Sequence, residues 1–123
     1  MVKAKDQLIL IVDPDAHFRE GLYNFLLSAG YERVDSAENY HNALEKIKET
    51  EYDVMLLDVG SPLRAGQEVA DEIASLTPKT RVILMVGAEE QPELNEPRIE
   101  VDRQYLIKAT FARNLLYLLE KSA

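Results

Sequence analysis

The sequence predicts a single α/β domain built on a doubly wound, five-stranded parallel sheet that helices cover on both faces. Short apolar runs, the pattern of buried strands, alternate along the chain with amphipathic patterns of helical period. The length of 123 residues suits one hydrophobic core, and no linker or repeat divides residues 1–123. Because consecutive parallel strands need right-handed helical crossovers, this alternation favours a parallel sheet between two helical layers.

The first strand and the first helix have the clearest patterns. Gln7–Val12 is almost wholly apolar, which is typical of a strand buried on both faces of a parallel sheet. Asp15–Ala29 follows as an amphipathic helix, and Gly30 is placed to end it. The apolar stripe of this helix consists of Phe18, Leu22, Phe25, Leu26 and Ala29.

The second unit combines an edge strand with a capped helix. Tyr31–Ser36 is shorter and more polar than the first strand, as expected at the edge of a sheet. Asn39 is an N-cap residue type and stands directly before a helical pattern. The residues of this helix that we expect to face inward are Tyr40, Ala43, Leu44 and Ile47.

The third unit begins with a second buried strand, Asp53–Leu57, which ends at Asp58. Gly60–Gly66 contains a proline and is predicted to be a loop. Gln67–Leu76 is predicted to be a helix, because its apolar residues recur at helical spacing.

The last third of the chain is less regular. Arg81–Val86 is the third buried strand, whereas Glu89–Glu100 contains two prolines, so any helix there is short or irregular. Arg103–Ile107 is a further strand, and Thr110 can cap a final helix that runs to Lys121. The apolar arc of that helix is broad, so we expect most of it in the core and keep one flank as a candidate partner surface.

Composition narrows the classes of function. The chain has no cysteine, which excludes disulfides, thiolate metal sites and thiol catalysis. The net charge of −8 repels phosphate backbones, so we expect no nucleic-acid partner. The longest apolar run is too short to span a membrane, and no signal peptide is evident, so a cytoplasmic location is expected. We expect a domain this acidic to bind a protein or a cation rather than a nucleic acid.

Four residues stand just past predicted strand ends: Asp13, Asp58, Gly87 and Lys108. In an open parallel sheet, function gathers beyond the carboxyl ends of the strands. If the first and third strands are neighbours, Asp13 and Asp58 repel each other unless a cation stabilises both. Lys108 offers an ammonium, and a hard metal such as Mg²⁺ would offer further charge. A carboxylate beside such cations is equipped to attack a phosphoryl group and form an acyl phosphate.

Two other interpretations stay open at this point. Lys108 could simply pair with Asp58 as a structural salt bridge. The domain could also bind a flavin-type cofactor, although no phosphate-cradling loop rich in Ser, Thr or Gly follows the first strand, which argues against it.

Four segments resemble those of the receiver domains of two-component response regulators, and the resemblance covers nearly the whole chain. In chain order they are Val12-Asp13, then Leu56-Leu57-Asp58 with Pro62 and Gly66 downstream, then Leu84-Met85-Val86-Gly87-Ala88, and finally Tyr105-Leu106-Ile107-Lys108. The resemblance implies a flavodoxin-like three-layer sandwich with strand order 2-1-3-4-5. It also implies signalling rather than an enzyme acting on a separate substrate.

The resemblance implies a role for each of these residues. Asp58 would accept a phosphoryl group from a sensor histidine kinase or a phosphotransfer protein. Asp13, Asp58 and the backbone carbonyl of Gly60 would hold Mg²⁺, and Lys108 would contact the phosphoryl oxygen. Tyr105, together with the position of Gly87, would form the switch that reports the state to a downstream protein, with a homodimer as a further candidate assembly.

Three substitutions depart from the family pattern. Pro14 stands where the second acidic residue is expected, so we expect weak Mg²⁺ binding; Asp15 is a candidate substitute, although an N-cap role is favoured. Gly87 replaces a hydroxyl residue, which removes a hydrogen bond to the phosphoryl group worth about 1.5–3 kcal/mol, and leaves room for Tyr105 to stay inward. Ala109 replaces a proline, so we expect a trans peptide bond and a rebuilt loop, which could displace Lys108. The alternative function is therefore a degenerate receiver that binds partners without phosphorylation.

Overall fold

The computed structural model describes residues 3–58, 63–87 and 104–121, and the side chains of all these residues except 63–67. A short 3₁₀ turn, Ala4–Asp6, precedes the first strand. The remaining elements are, in chain order, β1 (Ile9–Val12), α1 (Ala16–Ser28), β2 (Val34–Ala37), α2 (Tyr40–Glu49), β3 (Val54–Asp58), α3 (Leu63–Leu76), β4 (Arg81–Val86), β5 (Gln104–Ile107), a 3₁₀ turn (Lys108–Thr110) and α4 (Phe111–Lys121).

The five strands form one parallel sheet in the order β2-β1-β3-β4-β5. The predicted doubly wound sheet and its strand order are thereby confirmed. The register pairs Val12 with Leu57 and Val86 with Ile107, so the strands end at nearly the same level. The residues that follow β1, β3 and β5 therefore meet at one edge of the sheet.

A hydrophobic core lies on each face of the sheet, because successive strand residues point to opposite sides. On one face, Ile9 and Ile11 of β1 pack with buried leucines of α1 and α4. On the other face, Leu10 and Val12 pack with buried residues of α2 and α3. The predicted apolar arc of α4 packs mainly on the first core, and the large apolar side chain that α4 exposes is Tyr117.

The predicted caps of the first two helices are confirmed. The side chain of Asp15 accepts hydrogen bonds from the backbone N–H groups of His17 and Phe18 at the start of α1. Asn39 caps α2 by accepting from the N–H of Asn42 at 2.8 Å. Gly30 has a φ of 96°, the left-handed conformation that glycine adopts without steric cost at a helix end.

The predicted second strand was placed too early. We expected Tyr31–Ser36, but β2 is Val34–Ala37. The N–H of Tyr31 donates to the carbonyl of Leu26 at 2.9 Å, a hydrogen bond that closes the end of α1. Because its N–H caps the helix, Tyr31 does not belong to the strand. Pairing with β1 starts at the carbonyl of Arg33, which accepts from Ile9.

The predicted loop Gly60–Gly66 was wrong in its second half. α3 begins at Leu63, four residues before the predicted start at Gln67, so that Gly66 lies inside the helix. A glycine inside a helix costs about 0.5–1 kcal/mol relative to alanine, which is too little to stop a helix that packs on a sheet. The segment Glu89–Glu100, in which we expected any helix to be short or irregular, lies outside the described residues. Within the parts of the chain that are described, no helix has the length and apolar character needed to cross a bilayer.

Candidate functional site

Asp13 is held from several sides directly after β1. Its backbone N–H donates to the carbonyl of Ala37 at 3.1 Å, and its own carbonyl accepts from Arg19 Nη1 at 2.6 Å. Its side chain is fully buried, and Oδ1 accepts from the N–H of Asp15 at 2.9 Å. The Asp13 carboxylate is therefore fixed below the surface with Oδ2 directed toward the strand ends.

Asp58 is the last residue of β3 and pairs with Met85 of the neighbouring strand. Its side chain is 14% exposed, whereas that of Asp13 is 0% exposed. Of the two carboxylates, only Asp58 can therefore be reached by a molecule from solvent.

The ammonium group of Lys108 contacts both carboxylates. It is the first residue of the 3₁₀ turn after β5, and its Nζ lies 2.8 Å from Asp13 Oδ2 and 3.1 Å from Asp58 Oδ1. Apart from this ammonium, Asp13 Oδ2 has no hydrogen-bond partner among the described residues. The predicted convergence of Asp13, Asp58 and Lys108 is confirmed, and Lys108 is not displaced even though Ala109 follows it.

The electrostatics of the site follow from burial and from the shared ammonium. Burial raises the pKa of Asp58 above its ordinary value, and the neighbouring charges of Asp13 and Asp15 raise it further, while Lys108 acts in the opposite direction. Burial on its own would lower the pKa of Lys108, but the hydrogen bonds and charges of the two carboxylates outweigh it, so that this pKa is raised. Lys108 therefore stays protonated and serves as the counter-ion of both acids.

Phe18 and Arg19 belong to the site, and the sequence reasoning missed both of these roles. Lys108 Nζ lies over the ring of Phe18, 4.6 Å from its centroid, within the range of a cation–π interaction. Arg19 anchors the backbone of Asp13. Both residues lie in the first turn of α1, where the sequence pattern placed Phe18 only on the apolar stripe and assigned no role to Arg19.

The other predicted site residues lie around this group. Asp15 caps α1 through Oδ1, the role that we favoured for it over metal binding. Gly87 follows β4 directly, and the partly buried ring of Tyr105 in β5 packs against the second core. Gly60 lies outside the described residues, so its predicted contribution to a metal site stays a prediction.

The residues present fit a magnesium ion with few protein ligands. Mg²⁺ is usually bound by one or two carboxylates and keeps several waters, and the carboxylates of Asp13 and Asp58 offer hard oxygen atoms side by side. The described residues contain no group of three acidic or histidine side chains that could hold a metal ion. Pro14 supplies no carboxylate to add to this pair. Lys108 already neutralises part of the negative charge of Asp13 and Asp58.

Comparison with known proteins identifies the kind of domain to which this site belongs. The chemotaxis protein CheY of Listeria monocytogenes is 28% identical over 115 residues, covering 94% of this chain and 97% of that protein. The response regulator TrrA of Thermotoga maritima, solved in complex with Mg²⁺–BeF, is 30% identical with a TM-score of 0.75, covering 95% of this chain and 99% of TrrA. TrrA in complex with the histidine kinase ThkA is similar with a TM-score of 0.72, covering 94% of this chain and 97% of TrrA, at 30% identity.

A model of a whole protein family also matches this chain. The model of the response regulator receiver domain matches residues 9–120, a range that begins in β1 and ends in α4. That range includes every residue of the carboxylate and lysine group described above. The chain therefore belongs to the response regulator receiver domain family of two-component signalling proteins.

Proposed function

We propose that this receiver accepts a phosphoryl group on Asp58 from a histidine kinase or a phosphotransfer protein and passes the signal on through protein contacts. The observation that carries the proposal is the Lys108 ammonium, shared between Asp13 and Asp58 at 2.8 and 3.1 Å. The similar regulator TrrA, which forms complexes with Mg²⁺–BeF and with the kinase ThkA, supports the choice of donor.

Exposure and bonding favour Asp58 over Asp13 as the acceptor. Asp13 is fully buried, and its two oxygens are engaged by the Asp15 N–H and by the ammonium. The carboxylate of Asp58 reaches solvent and has Lys108 on one oxygen. In this assignment Asp13 is the fixed negative charge that keeps Lys108 in place.

The transfer step requires little beyond position and charge. An oxygen of Asp58 forms a bond to phosphorus while the bond between phosphorus and the donor atom breaks, and the donor keeps that electron pair and takes up a proton. Asp58 must be ionised to attack, and the ammonium favours that form against the effect of burial. Lys108 then stabilises the negative charge on the phosphoryl oxygens, because its Nζ already lies beside the reacting carboxylate.

Asp13 and Asp58 are the residues that would hold Mg²⁺, with the backbone carbonyl of Gly60 as the predicted third ligand. When bound, Mg²⁺ would supply positive charge to the phosphoryl oxygens. Asp15 is a poorer candidate ligand, since one of its oxygens caps α1. With Pro14 beside Asp13, we expect the cation to bind more weakly than at a site with three carboxylates.

A degenerate receiver is the second candidate, and two observations favour it. Gly87 has no hydroxyl to donate to a phosphoryl group, and Tyr105 already packs partly buried against the second core. In this alternative the fold presents a constant surface to its partners, and the Lys108 bridge is structural.

Intact mass spectrometry after incubation with Mg²⁺ and acetyl phosphate separates the two candidates. We expect the parent protein to gain the mass of one phosphoryl group and Asp58→Asn to gain none. Beryllium fluoride with Mg²⁺ provides a second reading, because it mimics the acyl phosphate without requiring transfer. The absence of both the mass gain and a beryllium fluoride adduct in the parent would reject phosphorylation in favour of the degenerate receiver.

A further inference from the structure

One face of the Phe18 ring contacts the ammonium of Lys108, and the same ring also contacts a second aromatic side chain. Lys108 Nζ lies 4.6 Å from the Phe18 centroid. The ring of Phe111 meets Phe18 edge to face, with centroids 5.5 Å apart and an interplanar angle of 81°. Phe18 is partly buried against the first core, so its orientation is set by packing as well as by these two contacts.

The turn that carries Lys108 is short. Lys108–Thr110 is a single 3₁₀ turn, and the N–H of Phe111 donates to the carbonyl of Lys108 to close it. Ala109 places no restriction on its own φ of the kind that a proline ring would impose. Lys108 begins this turn and Phe111 follows it, so the Phe18 ring contacts a residue at each end of the turn.

We propose that Phe18 is a positioning residue for Lys108, holding the ammonium between the two carboxylates through its ring face, while the edge-to-face contact with Phe111 helps to orient the ring. A leucine at this position would fill similar apolar space but would offer no π-face to the cation. The ammonium would then be held by the two carboxylates alone.

Phe25 provides a matched control, because it shares the packing of Phe18 without the cation. Its ring meets Phe111 edge to face at 5.1 Å and 89°, and it is partly buried against the same core. Phe25→Leu therefore removes an aromatic contact with Phe111 of the same kind as Phe18→Leu does. The two variants differ in whether the lost ring touched Lys108.

Nuclear magnetic resonance of the unphosphorylated protein tests the contact directly. A proton over the face of an aromatic ring is shifted upfield, so the ε-methylene and ammonium signals of Lys108 should move downfield in Phe18→Leu. They should stay near the parent positions in Phe25→Leu and in Phe18→Tyr, which keeps a ring. Lys108 signals that respond equally to Phe18→Leu and Phe25→Leu, or to neither, would overturn the proposal. The amide spectrum of each variant establishes that it is folded.

The consequence for phosphorylation rests on the proposed function and is measured separately. The rate of phosphoryl uptake from acetyl phosphate should fall about 2- to 5-fold in Phe18→Leu, the equivalent of a cation–π interaction of roughly 0.5–1 kcal/mol. Phe18→Tyr should restore the rate, and Phe25→Leu should keep it. If the parent takes up no phosphate, the proposed function fails while the magnetic resonance result still decides whether the Phe18 ring lies against Lys108. A Phe18→Leu rate equal to that of the parent would reject the positioning role.

Discussion

Replacing Lys108 with methionine would remove the positive charge that Asp13 and Asp58 share and keep a side chain of similar length. Losing one partner of a buried ion pair costs about 3–5 kcal/mol when the remaining charge is fully buried. Asp13 meets that condition with 0% exposure, but the side chain of Lys108 is 21% exposed and that of Asp58 14%, so solvent screens part of the cost. We therefore expect the free energy of unfolding at pH 7 to fall by about 2–3 kcal/mol.

The same substitution should change how stability depends on pH. The pKa of Asp58 is already raised by burial and by Asp13, and removing the ammonium, which acts in the opposite direction, raises it further. A carboxyl group whose pKa is higher in the folded than in the unfolded chain binds more protons when folded, so stability falls as pH rises through the interval between the two pKa values. That interval begins near the ordinary value of 3.8 and widens in the variant. Lys108→Met should therefore recover part of its lost stability between pH 7 and pH 5.

Urea unfolding followed by circular dichroism at pH 7 and pH 5 measures both effects. The double variant Lys108→Met, Asp13→Asn is the matched control, because it removes the buried charge together with its counter-ion. We expect it to be more stable at pH 7 than Lys108→Met alone and to show a weaker pH dependence. A Lys108→Met protein that unfolds at the parent urea concentration, with the parent pH dependence, would refute the idea that this ammonium is the counter-ion of the pair.

Three further changes test other parts of the structure. Tyr52 donates to Asp35 Oδ2 at 2.8 Å, and burial together with that carboxylate raises the pKa of Tyr52 to about 12. Burial also raises the pKa of Tyr31 and of Tyr40, so ultraviolet titration should show several late-ionising phenols, one fewer in Tyr52→Phe than in the parent. An unchanged number of late-ionising phenols in the variant would contradict the assignment. Because the folded phenol holds its proton more tightly, the stability that this hydrogen bond provides should be lost as pH rises from 10 to 12. Asp15→Ala should lower the free energy of unfolding by about 0.5–2 kcal/mol through loss of the α1 cap, whereas Asp15→Asn should lose little, and equal losses in urea unfolding would count against capping. Pro14→Asp adds a third carboxylate, so calorimetric titration should show tighter Mg²⁺ binding than in the parent, and unchanged affinity would mean that this position does not face the cation.

The sequence was informative wherever structure is encoded locally. The apolar run of β1 and the helical stripe of α1 arise from side-chain periodicity within a few residues. α1 lies where it was predicted, and β1 ends at Val12 as predicted but begins at Ile9, two residues after the predicted start. Asp15, Gly30 and Asn39 act on backbone groups within a few positions of themselves, so their residue types were sufficient to locate two helix starts and one helix end.

The limits of these local patterns appear where one element depends on another. The position of β2 depends on where its partner β1 begins pairing, and α1 retains Tyr31 for its own cap. The early start of α3 required a glycine to be accepted inside a helix, which local propensity argues against. In each case the element boundary was decided by a contact with another part of the chain.

The functional site shows the same division. The alternation of strands and helices was enough to place Asp13, Asp58 and Lys108 at one edge of the sheet, because parallel strands end together. Only the folded structure decided that one ammonium reaches both carboxylates and rests on the ring of Phe18. These contacts join residues 50 or more positions apart, as in the hydrogen bond from Lys108 to Asp58. Their distances are set by strand order, by register and by helix packing, and no local pattern of residue types carries that information.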